Sequence, residues 1–437
     1  MRTHLLGLLF ILAATDAALA QDDVAVPTED IGLVEVAEGE RVSLDEIRRF
    51  VAVFRAVKQA YVDPVDDATL MQSAIRGLLA DLDPHSGYLD SDASRDLTEL
   101  SSGAYDGLGL EVAQRPDRTL IVVAPIDETP AARAGIRSGD IITEIDGEQI
   151  TASNIDAAVE SLRGEPGSEI RLVIMREGEA EPLSMTLVRE TIRVGSVRTS
   201  LLAPGFGYLR ISHFQSDTGR ETATKLATIN TKAAPLKGLV LDLRSNPGGL
   251  LNAAIEAADV FLDSGTIVST RGRLPYSNSA FKAKRGDALK GAPIIILADS
   301  GTASAAEVLA GALQDHRRAL IMGSSSFGKG SVQTVLPLDN GDALKLTTAR
   351  YFTPNDRSIQ ASGLVPDIRV ADDEVVRSSS AGRTPEVRER DLPGHLSAGE
   401  TAVDASEAAE PPINDLVLRE ALTLLKGLAL FGAGKAR

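Results

Sequence analysis

The chain has 437 residues, 43% of them apolar and 24% charged, with a net charge of −17. That length asks for two or three domains rather than one core, and so acidic a chain is a poor partner for nucleic acid or anionic lipid surfaces. It contains no cysteine, which excludes disulfides, thiol chemistry and lipid attachment through a cysteine.

Residues 1–20, MRTHLLGLLFILAATDAALA, combine a cationic start at Arg2, a short apolar run from Leu5 to Ala14 and an Ala18-Leu19-Ala20 ending. The run is too short to span a bilayer, so it reads as a signal peptide cleaved after Ala20. An exported chain free of cysteine fits a cell envelope compartment, and the expected location is periplasmic. Residues 21–40 are acidic and without periodicity, as in a flexible lead-in. The region 41–102 is helical: apolar residues at three- and four-residue spacing from Leu44 to Leu79, broken at Asp63-Pro64, predict two helices, and DPHSGYLD closes it with turn chemistry.

From residue 103 to 190 the texture changes to short β-type runs (GLGLEVA, TLIVVAPI, DIITEIDG, EIRLVIMREG) with a helical NIDAAVESLRG, which makes a compact domain of its own. Residues 191–372 alternate strands (FGYLRI, GLVLDLR, APIIILAD, RALIMG) with helical stretches, the pattern of an α/β domain. Residues 373–413, rich in Ser, Ala, Glu and Pro, read as a disordered linker. The segment 414–437 has helical spacing and must dock its apolar face on the body or on another subunit.

Chemistry concentrates in three stretches of the α/β region. In ADSGTASAAEVLAGAL, Ser304 follows a buried-type strand through a tight turn and opens a helix, whose free N–H groups favour a nearby oxyanion. A serine there can equally be a helix cap. As a nucleophile it needs a base. His316 lies about 18 Å further along the same helix, His4 leaves with the leader and His395 falls in the linker. His85 and His213 sit in no setting that suggests a catalytic base, so a Ser-His-Asp triad is poorly supported. A desolvated lysine can act instead. GSSSFGKGSVQTV supplies Lys329 between Gly328 and Gly330, and if the stretch is extended, Gln333 shares its face and can hold the amine.

The same stretch begins like a phosphate-binding loop, G-x-x-x-x-G-K. Gly330 then stands where Ser or Thr would meet magnesium, and a strand follows in place of a helix, so nucleotide binding is rejected. The third stretch, LVLDLRSNPGGLL, turns at Asn246-Pro247-Gly248-Gly249, where paired glycines can aim N–H groups at a ligand oxygen and, with the Ala305 N–H, form an oxyanion hole. Alone, such a turn is more often an ordinary strand-to-helix connection.

Together these pieces resemble the carboxyl-terminal processing proteases, the serine-lysine endopeptidases of bacterial envelopes and thylakoid lumens. DPHSGYLD, GLGLEV, RAGIRSGDIITEIDG, LVLDLRSNPGG, GTASAAEVLAGAL, FGKGSVQ and ARYFTPNDRSIQASGLVPDI carry the resemblance over nearly all the mature chain, and Lys329 stands 25 residues after Ser304 and 4 before Gln333, as in that family. The resemblance implies a crotonase/Clp-protease-like α/β core with an inserted PDZ domain and helical terminal segments. It implies Ser304 as nucleophile, Lys329 as general base, Gln333 as the residue that positions the lysine, and Gly248 or Gly249 with Ala305 as oxyanion donors.

In the PDZ domain, Gly107, Leu108, Gly109 and Leu110 would present N–H groups to a terminal carboxylate while the next strand pairs with the peptide. Arg163 matches an arginine that links ligand binding to the catalytic region. The function implied is a serine endopeptidase that captures apolar C-termini, with no metal or cofactor. Dimers or higher oligomers built through the terminal helices and a lipoprotein adaptor are further implied partners. The alternative is a non-catalytic PDZ adaptor, against which the intact Ser304, Lys329 and Gln333 set argues. One departure is Asp356, where the family usually has glycine.

Overall fold

The computed structural model describes residues 42–370, apart from 116, 117, 152 and 180, and residues 416–433. The expected leader 1–20, lead-in 21–40 and linker 373–413 lie outside the described residues. The chain divides into two units, one up to Ser73 and one from Ala74 onward.

In the first unit, helix Leu44–Ala60 starts where Ser43 Oγ accepts the Glu46 N–H at 3.2 Å, with Asp45 and Glu46 in the first turn against the helix dipole. None of its residues is buried. A second helix, Asp67–Ala80, runs across the division between the units.

The second unit is built on a six-stranded sheet in the order Val197–Ala203, Phe206–Ile211, Gly238–Asp242, Ile294–Ala298, Ala319–Gly323, Ile368–Arg369. Only the first pair is antiparallel. Parallel strands need crossover helices on their faces, which is why these strands are nearly all apolar. Alternation then divides the side chains between two cores. Leu239, Leu241, Ile294 and Ile296 face the crossover helices Thr218–Ile229, Leu251–Asp259 and Ala305–Asp315. Val240, Ile295 and Leu297 face the other way and meet helix Leu416–Ala433.

That helix therefore docks on the body of its own chain. Val417, Ala421 and Leu425, spaced four apart on one face, are at most 6% exposed. Leu425→Ala should cost about 2–5 kcal/mol, the range for emptying a well-packed leucine site, read as a fall in the urea midpoint at unchanged m-value. A smaller loss would mean that the helix adds little to the core.

Behind helix Ala305–Asp315 a second sheet runs in the order Gly87–Leu89, Ala343–Phe352, Thr266–Gly272, Ser279–Lys282, and Ser331–Pro337 also pairs with Ala343–Phe352. DPHSGYLD is therefore more than a turn: Gly87–Leu89 forms an antiparallel strand against Ala343–Lys345. The helix Ser91–Ser102, capped by Asp90 and ended by Gly103 at φ +68°, falls in the expected helical region 41–102 but is a third helix beyond the two predicted there, because its apolar stripe is thin.

The remaining domain is an antiparallel sheet, Leu110–Gln114, Leu120–Pro125, Ile141–Ile145, Glu169–Met175, Leu183–Val188, with helix Ile155–Ser161 against it. Leu120, Val122, Ile142, Ile170, Leu172 and Ile174 form its own core. The pair Ala104–Gly107 and Glu190–Arg193 closes the two chain passages that join it to the rest. No helix among the described residues is long and apolar enough to cross a membrane.

Candidate active site

Strand Ile294–Ala298 delivers the chain into a turn closed by Thr302, whose Oγ1 donates to the Leu243 carbonyl at 2.8 Å, and Ser304 then caps helix Ala305–Asp315. Ser304 has φ +54° and ψ −117°, a conformation that non-glycine residues rarely adopt. Its backbone is held from both sides. The N–H donates to Glu307 Oε2 at 2.8 Å, and the carbonyl accepts from the Val308 N–H and from the Tyr351 hydroxyl, both at 3.0 Å. Ser304 is half-buried, and a strained strand-to-helix turn is a way to present a hydroxyl.

Glu307, fully buried, organises the site. Besides the Ser304 N–H it accepts the Lys329 N–H at 2.9 Å, the Gly328 N–H at 2.9 Å and the Ser326 hydroxyl at 2.5 Å. One carboxylate thus ties the Ser304 turn to the Lys329 loop. Burial pushes its pKa up to about 7, and the four donors limit the rise. Tyr351 makes a second tie, because its hydroxyl lies between the Ser304 and Lys329 carbonyls and shares its one proton between them. Neither residue is among those expected from sequence. The signal for Glu307 is the capping-box pattern S-x-x-E from Ser304, while Tyr351 has none, since its neighbours arrive from another sheet.

Lys329 is half-buried in the loop that precedes strand Ser331–Pro337. The expected sharing of a face with Gln333 by strand alternation therefore does not apply: the strand starts two residues after Lys329, and Gly328 at φ +98° sets the loop's path. Gly330 is pinned by its N–H to Gln360 Oε1 at 2.8 Å, and a Cβ on it would lie 2.8 Å from the Gln360 backbone nitrogen. Gln333 is held by its amide nitrogen, which donates to Ser331 Oγ at 2.8 Å and Thr347 Oγ1 at 3.4 Å.

The glycine turn stands against Ser304. A Cβ on Gly248 would lie 2.7 Å from Ser304 Cβ and 3.0 Å from the Ala305 nitrogen, so only glycine allows this approach. Of the expected oxyanion donors, the Ala305 and Gly249 N–H groups have no acceptor among the described residues, whereas the Gly248 N–H donates to Asn246 Oδ1 at 2.9 Å. Asn246, fully buried, also donates from Nδ2 to the Ile211 carbonyl at 2.9 Å.

Two of the described histidines are engaged by other groups. His316 Nε2 lies 2.7 Å from the Thr266 carbonyl, and His213 lies 3.1 Å from Ser212 Oγ and 2.6 Å from Gln215 Nε2, with its pKa lowered by burial. Asp356, where glycine was the expected residue, has φ +61°, the left-handed conformation that glycine adopts most easily, and its carboxylate pairs with Arg271.

A groove of about 540 Å³ lies along the smaller domain, lined by Leu108, Gly109, Leu110, Val112, Val159 and Leu162. The Leu108 and Gly109 N–H groups have no acceptor among the described residues, while both carbonyls are occupied by Ala131 and Ile126 N–H groups at 3.0 and 2.8 Å. The expected carboxylate-binding loop thus has free donors at the groove. Arg163 lines the same groove, paired with Glu99 at 2.6 Å and Asp96 at 3.6 Å and lying 6.0 Å over the Tyr105 ring. At the inner end the wall comes from the α/β core as His213 and Gln215. Between them, Phe214 donates to the Gly248 carbonyl at 2.8 Å and accepts from the Leu250 N–H at 2.9 Å, which joins groove and glycine turn through one stretch of backbone.

Comparison with known proteins identifies the family. Residues 205–370 match peptidase family S41, residues 121–176 a PDZ domain, and residues 14–93 the N-terminal domain of the activating protease CtpB. The chain is 43% identical over 394 residues to a carboxy-terminal-processing protease of Bartonella bacilliformis, covering 89% of this chain and 90% of the relative. It is 31% identical over 319 residues to the carboxy-terminal processing protease CtpA of Bacillus subtilis, covering 72% and 67%. Among solved structures, the photosystem II D1 C-terminal processing protease matches at 30% identity and a TM-score of 0.44, over 75% of this chain and 94% of that one. On the identity and coverage of these relatives, the chain belongs to peptidase family S41, among its PDZ-bearing carboxy-terminal processing proteases.

Proposed function

We propose that the protein is a serine endopeptidase of the cell envelope in which Ser304 attacks and Lys329 is the general base, and that its PDZ groove selects substrates by an apolar C-terminus. The observation that carries this reading is the shared carboxylate of Glu307, which accepts the backbone N–H of both Ser304 and Lys329. Ser304 Oγ adds to the scissile carbonyl as its proton passes to the Lys329 amine. The developing oxyanion is met by the Ala305 N–H and the glycine turn. Lys329 then returns the proton to the departing amine, and water, deprotonated by the same amine, hydrolyses the acyl-enzyme. Gln333 assists by orienting the lysine. A substrate's terminal carboxylate is taken by the Leu108 and Gly109 N–H groups, and its last side chain by the leucines and valines beside them.

We further propose export with cleavage after Ala20, and assembly of two or more copies through the exposed apolar positions Ile47, Phe50 and Val51 of the first helix. A lipoprotein adaptor in the envelope is the proposed partner.

The test uses protein purified from the envelope fraction, whose N-terminus should read Gln21, against a loosely folded substrate made with an apolar or a charged tail. Burying one apolar side chain yields about 1.5–3 kcal/mol, so the apolar-tailed substrate should show a KM lower by roughly tenfold or more. Lys329→Arg, which keeps the charge but cannot give up a proton, should abolish cleavage of both. Equal KM values would remove tail selection, and an active Lys329→Arg would remove the lysine as base.

A further inference from the structure

The segment DPHSGYLD, expected from its composition to be a turn, is anchored on the strand beside the catalytic loop. Asp83, 4% exposed, accepts the His85 and Ser86 N–H groups at 2.8 and 2.9 Å and the Ser86 hydroxyl at 2.7 Å. Ser86 Oγ in turn accepts the Thr347 N–H at 3.1 Å. The Thr347 hydroxyl donates to Asp83 Oδ1 at 3.1 Å, and it is the same hydroxyl that Gln333 Nε2 reaches at 3.4 Å. Burial would raise the Asp83 carboxyl, but the donors from Ser86, His85 and Thr347 outweigh it and hold the group below its ordinary value, hence ionised.

A hydroxyl has one proton to give. Because Thr347 gives its proton to an ionised carboxylate, it can only accept from Gln333, and an amide that must donate there is fixed in one of its two flips. The Ser331 hydroxyl takes a second hydrogen bond from the same amide nitrogen. What remains of the side chain is Oε1, which accepts no hydrogen bond among the described residues. We infer that Asp83, acting through Thr347, is a positioning device that sets the Gln333 amide with its oxygen outward, as the acceptor offered to the Lys329 ammonium. The inference rests on the reading of Lys329 as base and Gln333 as its partner, and gives the DPHSGYLD segment a task in catalysis rather than in packing alone.

The experiment compares Thr347→Val, Thr347→Ser, Gln333→Ala and the double variant Thr347→Val/Gln333→Ala, measured as kcat and KM on the apolar-tailed substrate with Tm alongside. Valine keeps the β-branched shape suited to the strand and removes only the hydroxyl. Losing the fixed orientation should lower kcat about tenfold at near-constant KM, an effect of the size produced by one misdirected hydrogen bond. Thr347→Ser, which retains the hydroxyl, should restore the parental kcat. In the Gln333→Ala background, where there is no amide left to orient, Thr347→Val should cost nothing more.

Full retention of kcat by Thr347→Val, with Gln333→Ala impaired, overturns the relay and leaves the reading of Gln333 standing. Additive losses that follow Tm would make Thr347 a packing residue and also overturn it. An unimpaired Gln333→Ala would instead remove Gln333 as the lysine's partner, a failure of the underlying reading that the same set of variants shows separately.

Discussion

Ser304→Ala should lose on the order of 10⁶ in kcat, the loss that accompanies removal of a serine nucleophile when the oxyanion donors and substrate contacts remain. The substitution deletes one half-buried hydroxyl. It leaves intact the bonds that hold the turn, because the Ser304 N–H to Glu307 and the Ser304 carbonyl to Tyr351 are backbone groups that alanine also has. Tm should therefore stay within a few degrees of the parent, and the PDZ groove, built from Leu108 to Val112 and Val159 to Leu162, should bind an apolar-tailed peptide with unchanged affinity. Mass spectrometry of the fragments reads the first effect, and peptide binding by calorimetry reads the second. A variant that still cleaves within tenfold of the parent would falsify the nucleophile assignment outright.

Glu307→Gln is expected to have the next largest effect, for a reason of donor and acceptor count. All four groups that surround the side chain donate to it: the N–H groups of Ser304, Gly328 and Lys329 and the hydroxyl of Ser326. Glutamine offers one oxygen and one NH₂, so two of those donors face another donor. The Ser326 hydroxyl can turn and accept, which leaves at least one buried N–H without a partner at a cost of about 1–3 kcal/mol. The Lys329 loop and the Ser304 turn then lose part of their common anchor, and misplacement of that order lowers kcat roughly 10²-fold.

A pH series separates this from simple unfolding. Burial raises the folded-state pKa of Glu307 to about 7, above the ordinary glutamate value of 4.5. The folded protein therefore binds more protons than the unfolded chain between those values, and the Glu307 contribution to stability, complete below about 4.5, is lost as pH rises through about 7. Glutamine does not titrate. The Tm gap between parent and variant should accordingly be wider at pH 4.5 than at pH 8. A constant gap would show that the carboxyl titrates normally, and a variant with near-parental kcat would show that the shared anchor is dispensable.

Much of this protein is legible in short runs of its sequence. The alternation of apolar strands with helical stretches from residue 191 onward specifies an α/β core because each crossover is a local pattern, a short continuous apolar run followed by a period of 3.6. Ser304 at the mouth of its helix, the paired glycines at 248 and 249 and the Lys329 loop are visible for the same reason: turns and helix starts are written in short runs of residue types. Glu307 is written there too, as the third residue after its cap, but nothing local marks it as buried.

Other features lie beyond any local window. The Asn246 amide that donates to the Ile211 carbonyl, the Tyr351 hydroxyl between the Ser304 and Lys329 carbonyls, and the chain from Asp83 through Thr347 to Gln333 join segments from different strands and sheets. A one-residue change of register would break each of them. Sequence determines which groups can donate or accept, through residue type. Only the packing of the two sheets about helix Ala305–Asp315 decides which of them meet, since hydrogen bonds act over about 3 Å while the residues that make these lie up to 264 positions apart in the chain.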